Sequence, residues 1–589
     1  MKLKANMIMV ICFIIISSKV IGAYIEKFPQ TLTQPNGKVI NCFVSGDEFY
    51  CWLHDNENYT IIQNQKNGYY CYAIYQNGEL VPSKYVVGID NPKNSGIQSG
   101  IRHSSEQISD IRSKSYVDFP EQPILKSANL ATTVRTLNNI VVYVRFSDQT
   151  EFGAKQGNYS SYFNSTATGA NSMYNYFREA SFQSLNIVST FYPTNNGTQI
   201  VSYRDSHTRN YYCPWTAQND SGYSVSDNGV MKLARERTLV VNAVNYVKNQ
   251  IPTTLDIDTD NNNDVDNICF IIKGAPLAPP IPFAILLWPH KSRLDNSTTY
   301  INSKRVYNYN FQIEEHLDVS QIYALCHEMY HTLGAWDLYD LSLSGIQPVG
   351  PWDVMGVASN PPPSMNADSK FRHGHWISSV PEITASGHYS LNPITSPTNN
   401  CYKIPSSDDL EYFMLEFRQK TGTFESSIPG SGLIISRINK YQCCDNLNGS
   451  PYWLYIYRPD GTIASNGNLN SAHFDLSVGR ATFHNNSNPS CFLTNGSSGN
   501  IFIKNITVSG NTVSFDVRFC DASDVLYSNT NQLPALTNAI NQIQTSGTVV
   551  VKNTDNIIFE AGNEIILNSG FEVQQGGQFQ VNMNCCGNQ

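Results

Sequence analysis

The stretch Ala324-Leu-Cys-His327-Glu328-Met-Tyr-His331-Thr-Leu-Gly334-Ala-Trp-Asp337-Leu-Tyr339-Asp340 constrains the fold more than any other part of the chain. His327 and His331 stand four residues apart, so on a helix they project from one face, a turn from each other. Two neutral imidazoles at that spacing can grip one zinc ion at about 2.0–2.1 Å. Glu328 comes next, beside such a metal rather than on it, where its carboxylate can take a proton from water. Ile322, Tyr323, Leu325 and Leu333 supply an apolar surface, which predicts a buried helix over Val319–Leu333. Gly334 can take a positive φ, end the helix and turn the chain back beneath the metal.

A catalytic zinc needs a third protein ligand and an open position. Asp337 is the first side chain after the turn able to ligate; a carboxylate from a distant helix is the competing source. Farther on, Val349-Gly-Pro-Trp352-Asp353-Val-Met355-Gly356 predicts a tight turn carrying Met355. A lone Met is ordinarily core filler. Long-motif zinc proteases, however, place a Met-bearing turn under the site as an apolar floor.

The N-terminus bears on the compartment. Lys2 and Lys4 precede an apolar run, Met7 to Ile16, followed by small residues to Gly22 and Ala23. This is the grammar of a secretory signal peptide over residues 1–22. The run is short for a membrane span of about 20 residues, so stable membrane insertion is not expected. Export permits disulfides. Cys42 and Cys51, flanking the turn at Gly46, form a candidate local pair, and Cys326, in the apolar helix, is the candidate free thiol. Charged residues are only 15% of 589, and 39 basic against 48 acidic residues give −9 with no basic stripe. That argues against nucleic acid as a partner; the expectation of protein or peptide substrates rests on the histidine motif instead.

Composition rich in Asn, Ser, Thr and Tyr favours strands over long surface helices. The expected class is α+β. Residues 23–120 alternate β-like runs with turns and then become polar from Asp90 to Lys114, as a pro-segment joined by a solvated linker would. Arg112 and Lys114 are candidate cleavage points there. Residues 121–380 mix strands with long helices and hold the motif, as a catalytic domain would. Residues 381–520 read as a β-sandwich, and 521–589 as a β-repeat tail.

A second ion is suggested by Asp258, Asp260, Asn262, Asp264 and Asp266, at positions 1, 3, 5, 7 and 9 of a loop. That is the front of a calcium loop, with Asn263 where Gly is usual and Cys269 where the bidentate acid belongs. A solvated acidic turn is the plainer alternative. His373 and His375 read as surface or supporting histidines. His290 and Tyr339 are isolated candidates for stabilising an oxyanion, and nothing in the sequence puts either beside the metal.

The run His327–Asp340 with Gly350-Pro-Trp-Asp-Val-Met355 resembles the immune inhibitor A-like family of secreted bacterial metallopeptidases. Tyr176-Phe-Arg-Glu-Ala-Ser-Phe-Gln-Ser-Leu, Trp288-Pro-His290, Tyr412-Phe-Met-Leu-Glu-Phe-Arg-Gln-Lys-Thr-Gly and Pro429-Gly-Ser-Gly-Leu-Ile-Ile extend the resemblance, and Asp47–Val87 is similar to the family's pro-segment. The final 70 residues resemble C-terminal β modules of secreted Bacteroidetes proteins. Trp336, where the family often has Pro, and Cys326 before the first His depart from the pattern. The resemblance implies a metzincin-like zinc endopeptidase made as a zymogen, with Zn2+ on His327, His331 and Asp337 and Glu328 as base; an acidic loop like Asp258–Asp266, fit for Ca2+, recurs in the family. A secreted adhesin or surface-binding protein with a structural metal is the alternative from another class, and a non-peptidase zinc hydrolase is a third.

Overall fold

The computed structural model describes residues 24–47, 50–64, 66–104, 107–108, 134–215, 219–223, 230–275, 287–294, 298–340, 342, 344–357, 359–440, 446, 449–519, 522–562 and 564–583. The expected signal peptide and the candidate cleavage points Arg112 and Lys114 lie outside the described residues. The fold mixes helices with a larger share of strands.

Near the N-terminus six antiparallel strands pair in chain order: β1 (Ile25–Thr33), β2 (Val39–Gly46), β3 (Cys51–His54), β4 (Thr60–Gln63), β5 (Tyr70–Gln76) and β6 (Glu79–Val86). Alternation along β2 turns Ile40, Cys42 and Val44 inward. Gly46 has φ +127°, and a Cβ there would lie 2.2 Å from the Tyr50 carbonyl oxygen, so only glycine fits. The expected Cys42–Cys51 pair does not form. Cys51 sits opposite Gly46, and Cys42 is four residues up that strand, about 13 Å away and far beyond disulfide reach. The eight cysteines among the described residues, Cys326 included, are free thiols. Nor is the stretch after Asp90 a solvated linker from its start. Ile97 and Ile108 are buried, and the Thr60 hydroxyl donates to the Ile101 carbonyl. Isolated isoleucines in a polar run pin it down, which composition averages away.

The next block carries β7 (Arg135–Arg145), α1 (Gln156–Asn164), α2 (Met173–Ala180), β8 (Leu185–Tyr192), β9 (Tyr203–Arg204), α3 (Val230–Val247), β10 (Asn267–Ile272), β11 (His290–Arg293), β12 (Tyr300–Ile301), β13 (Lys304–Arg305), β14 (Asn308–Ile313), α4 (Glu314–Ser320) and α5 (Tyr323–Thr332). The main sheet runs β11-β14-β10-β7-β8, parallel except for the antiparallel edge β11. Its central strands β7 and β10 carry continuous apolar runs, Ile140–Val144 and Ile268–Ile272, because both faces are covered. Val141, Tyr143, Cys269 and Ile271 face α5, whereas Ile140, Val142, Val144, Phe270 and Ile272 face α3. The helix expected over Val319–Leu333 is broken: Gln321, at φ +50°, separates α4 from α5.

A short helix, α6 (Ala367–Arg372), leads into β15 (Gly387–Leu391), β16 (Cys401–Pro405), β17 (Glu411–Arg418), β18 (Gly432–Asn439), β19 (Leu454–Ile456), β20 (Phe502–Ser509) and β21 (Thr512–Arg518). These strands form two sheets, β15-β21-β20 and β16-β17-β18-β19. One face of the second sheet (Phe413, Leu415, Leu433, Ile435) packs on the first through Val513 and Phe515. Its other face (Tyr412, Met414, Ile434, Ile438) joins the core around α5. The boundary expected between 380 and 381 therefore falls inside one shared core. Alternation along β17 and β18 serves two cores at once, and a sequence does not reveal which partner each face meets.

The tail stacks β22 (Ala522–Thr530), β23 (Leu536–Val551), β24 (Asn556–Ala561), β25 (Glu564–Ile566), β26 (Phe571–Val573) and β27 (Gln578–Met583) in parallel. Partners such as Leu536 and Ile558, Val549 and Phe571, and Ile557 and Phe579 lie 22 residues apart, one rung each. No helix among the described residues is long and apolar enough to cross a membrane.

Candidate metal centre

Helix α5 is buried on all sides, so its polar residues must meet partners inside the protein. It ends at Thr332. Gly334 follows at φ +98°, and the chain doubles back so that the Ala335 carbonyl oxygen lies 2.8 Å from His331 Nδ1. His327 Nδ1 lies 2.9 Å from the carbonyl oxygen of Val354, in the turn that carries Met355. Each Nδ1–H thus donates to a backbone carbonyl, which fixes the tautomer and leaves each Nε2 as a bare lone pair.

Those lone pairs converge. The two Nε2 atoms are 3.0 Å apart, and Asp337 Oδ1 lies 3.2 Å from that of His327 and 3.4 Å from that of His331. Ligands at 2.0–2.1 Å around a tetrahedral ion stand about 3.3 Å from one another. Three electron-rich atoms at that separation repel unless a cation lies among them. Asp337 is fully buried, yet neither of its carboxylate oxygens accepts a hydrogen bond. Burial pushes the His331 ring below its usual range, keeping it neutral as a ligand must be. The three residues His327, His331 and Asp337 fit a zinc ion by donor type and spacing.

Glu328 lies on the same helix, completely buried, and its charge reaches the Cys269 thiol on β10. Met355 is buried in the core below, its carbonyl accepting from Leu338 N at 2.9 Å. The Asp337 backbone is held from afar, since Asn446 N donates to its carbonyl at 3.2 Å. His373 is no surface residue; it packs between Trp336 and Trp453, with ring centroids 4.7 and 5.9 Å away. His375 is exposed. His290 cannot serve an oxyanion, because Nε2 is taken by Glu236 at 2.9 Å and Nδ1 by the Trp288 carbonyl at 2.8 Å. Tyr339 does lie beside the centre, its ring stacked 6.4 Å from that of His327.

The N-terminal sheet covers this region. Tyr24 lies 5.3 Å from Tyr339 between ring centroids, in a cluster with Tyr50, Trp52 and Ile108. Trp288, just before edge strand β11, is buried in the N-terminal sheet's own core with Phe28, Val44 and Leu53.

The acidic loop gathers fewer oxygens than expected. Asp258, Asp260 and Asp266 converge. Asp264 instead forks onto Arg305 with two 2.7 Å contacts, and the Asn262 amide donates to Asp260 at 3.0 Å. Lys304 Nζ stands 2.6 Å from Asp258. Asn263 adopts φ +70°, as the sixth position of such a loop requires. Burial, with the nearby Asp260 and Asp258, pushes the Asp266 carboxyl up to about 6.

Neither Val354 nor Ala335 could be picked out from spacing, because each acts through its carbonyl. Arg418 and Glu416 did leave a trace, as charges inside the apolar run Tyr412–Phe417 and its end. No family model matches the chain, and no curated protein matches it. A solved structure described as OgpA from Akkermansia muciniphila overlaps 54% of this chain and 88% of its own at 8% identity and a TM-score of 0.23. A superposition that loose carries no argument, and the immune inhibitor A-like resemblance rests on the motifs alone.

Proposed function

We propose that this chain is a zinc-dependent endopeptidase, exported and held latent by its N-terminal block. The observation that carries the reading is the convergence of His327 Nε2, His331 Nε2 and an Asp337 oxygen at 3.0–3.4 Å, with Asp337 buried and undonated. The motif resemblance to the immune inhibitor A-like family supports it. When bound, zinc supplies Lewis acidity, polarising the scissile carbonyl and lowering the pKa of water towards ~7.

The chain's own residues do the rest. The carbonyls of Val354 and Ala335 orient the two imidazoles and hold the Nδ1 proton of each, so that both Nε2 atoms face the centre. Glu328, adjacent to His327 on α5, takes the proton of the attacking water and passes it to the leaving amine. Met355 and the apolar residues around α5 exclude bulk water from beneath the triad. Residues 24–108 support latency, because Tyr24 and Trp52 lie over Tyr339 and Trp288 is sealed within their core. The three gathered carboxylates of the acidic loop are proposed to take Ca2+ once Lys304 swings aside. The decisive assay is casein hydrolysis by the processed protein, with and without a zinc chelator, beside Glu328→Ala. Hydrolysis insensitive to both would sink the reading.

A further inference from the structure

The turn that carries Met355 is held by a charged network from the C-terminal sheet. Arg418, at the end of β17, is completely buried. Its guanidinium forks onto Glu425 with two 2.7 Å bonds and reaches Glu416 at 3.2 Å. The same group donates to the carbonyl of Trp352 at 2.6 Å and to that of Ser364 at 3.1 Å. Asp353, between Trp352 and Val354, accepts from Met355 N at 2.8 Å and from Asn366 N at 2.7 Å. Glu416 and Glu425 in turn accept from Ala367 N and Ser364 N, at 2.6 and 3.0 Å. Val354 then holds His327 Nδ1.

Burying a guanidinium and three carboxylates is costly unless geometry and partners are good. Packing alone would be served as well by Met and Leu. What the network supplies instead is direction: a planar fork that points two donors at carbonyls on either side of the turn, which lysine cannot reproduce. We propose that Arg418 is a positioning residue for the metal triad, acting through the Trp352–Met355 turn to fix the carbonyl that orients His327. This rests on the reading of His327, His331 and Asp337 as a metal centre. It also gives the shared core a purpose, because the sheet β16–β19 becomes part of the centre's support.

The test uses the full chain, stripped of metal and titrated with Co2+ and Zn2+ alone, comparing wild type with Arg418→Lys. Lysine keeps the charge for Glu416 and Glu425 but loses the fork. The expected result is an affinity for both ions weakened about 10–100-fold, as for loss of other outer partners of a metal site. The visible Co2+ bands should shift in position or intensity as well. A role confined to stability would lower the melting temperature and leave the bands and affinities of the folded molecules unchanged; that result overturns the proposal. If wild type itself binds neither ion, the metal centre fails and Arg418 has nothing to position. Should Arg418→Lys not fold, Glu425→Gln, which loosens the fork but keeps its shape, is measured in the same way. It should give a smaller loss in the same direction, and unchanged bands and affinities there overturn the proposal too.

Discussion

His327 Nδ1 lies 2.9 Å from the carbonyl oxygen of Val354, one residue before Met355. The turn under the triad is therefore more than an apolar floor. It sets which nitrogen of the first histidine carries the proton, and so which one is available to a metal.

Glu328 is a base in this reading and not a ligand. Replacing it with Ala should cut proteolysis by about 10²–10⁴-fold or more while zinc content, measured on the dialysed protein, stays at wild-type level. Joint loss of metal and activity, in a variant of normal stability, would move Glu328 into the ligand set.

Asp337→Ala leaves two neutral imidazoles facing an empty corner. Zinc affinity should fall by more than the roughly 10–100-fold that losing an outer partner costs. Competition with a chromogenic chelator measures it. Full zinc retention would mean that another carboxylate completes the site.

In the proposed reading, latency requires residues 24–108 to stay in place. The intact chain should turn over a small peptide far more slowly than the chain cut between 109 and 133, and Tyr24→Ala should leak activity without cleavage. Equal rates for intact and cut chains would reduce the N-terminal block to an ordinary domain.

His316 is fully buried, has no hydrogen-bond partner on either ring nitrogen and lies 5.5 Å from Phe28 of the N-terminal block. Burial pushes its pKa down to about 3. The unfolded chain, titrating near 6.5, binds the proton more readily than the native one. The stability held by the neutral ring is thus complete above about pH 6.5 and is lost as pH falls towards 3, at about 1.4 kcal/mol per unit. Melting temperatures between pH 8 and 5 should drop less steeply in His316→Leu; an identical slope would refute the assignment.

In the acidic loop, Lys304 stands where a cation would. Lys304→Met should therefore tighten Ca2+ binding, read by calorimetry on the full chain. No heat from either protein would leave the loop as a turn stapled by its own lysine.

How much of this could be read beforehand follows from how far each residue must look for its partners. The helical face shared by His327 and His331, the turn at Gly334 and the candidate ligand Asp337 lie within eleven residues, where backbone periodicity decides geometry. Strands such as β2 and β10 declared themselves by alternation or by continuous apolar runs. The break at Gln321 escaped notice because apolar residues continue across it, and only the backbone φ marks the kink. Asn446 on the Asp337 carbonyl and Trp453 against His373 are contacts between segments far apart in sequence, which local pattern does not encode. Asp264 was misread for a similar reason: its partner, Arg305, comes from another hairpin.

Trp288 belongs to the block of the histidine motif by sequence and to the N-terminal sheet by packing. Cutting the chain between 109 and 133 and losing the sheet would uncover a large indole beside the edge strand β11, at the same step that, in the proposed reading, releases activity. Maturation then works in one direction. In the proposed reading the released chain would carry an apolar scar that the intact chain keeps covered. A chain made without the N-terminal block should emerge with the scar already open and should aggregate before it digests anything.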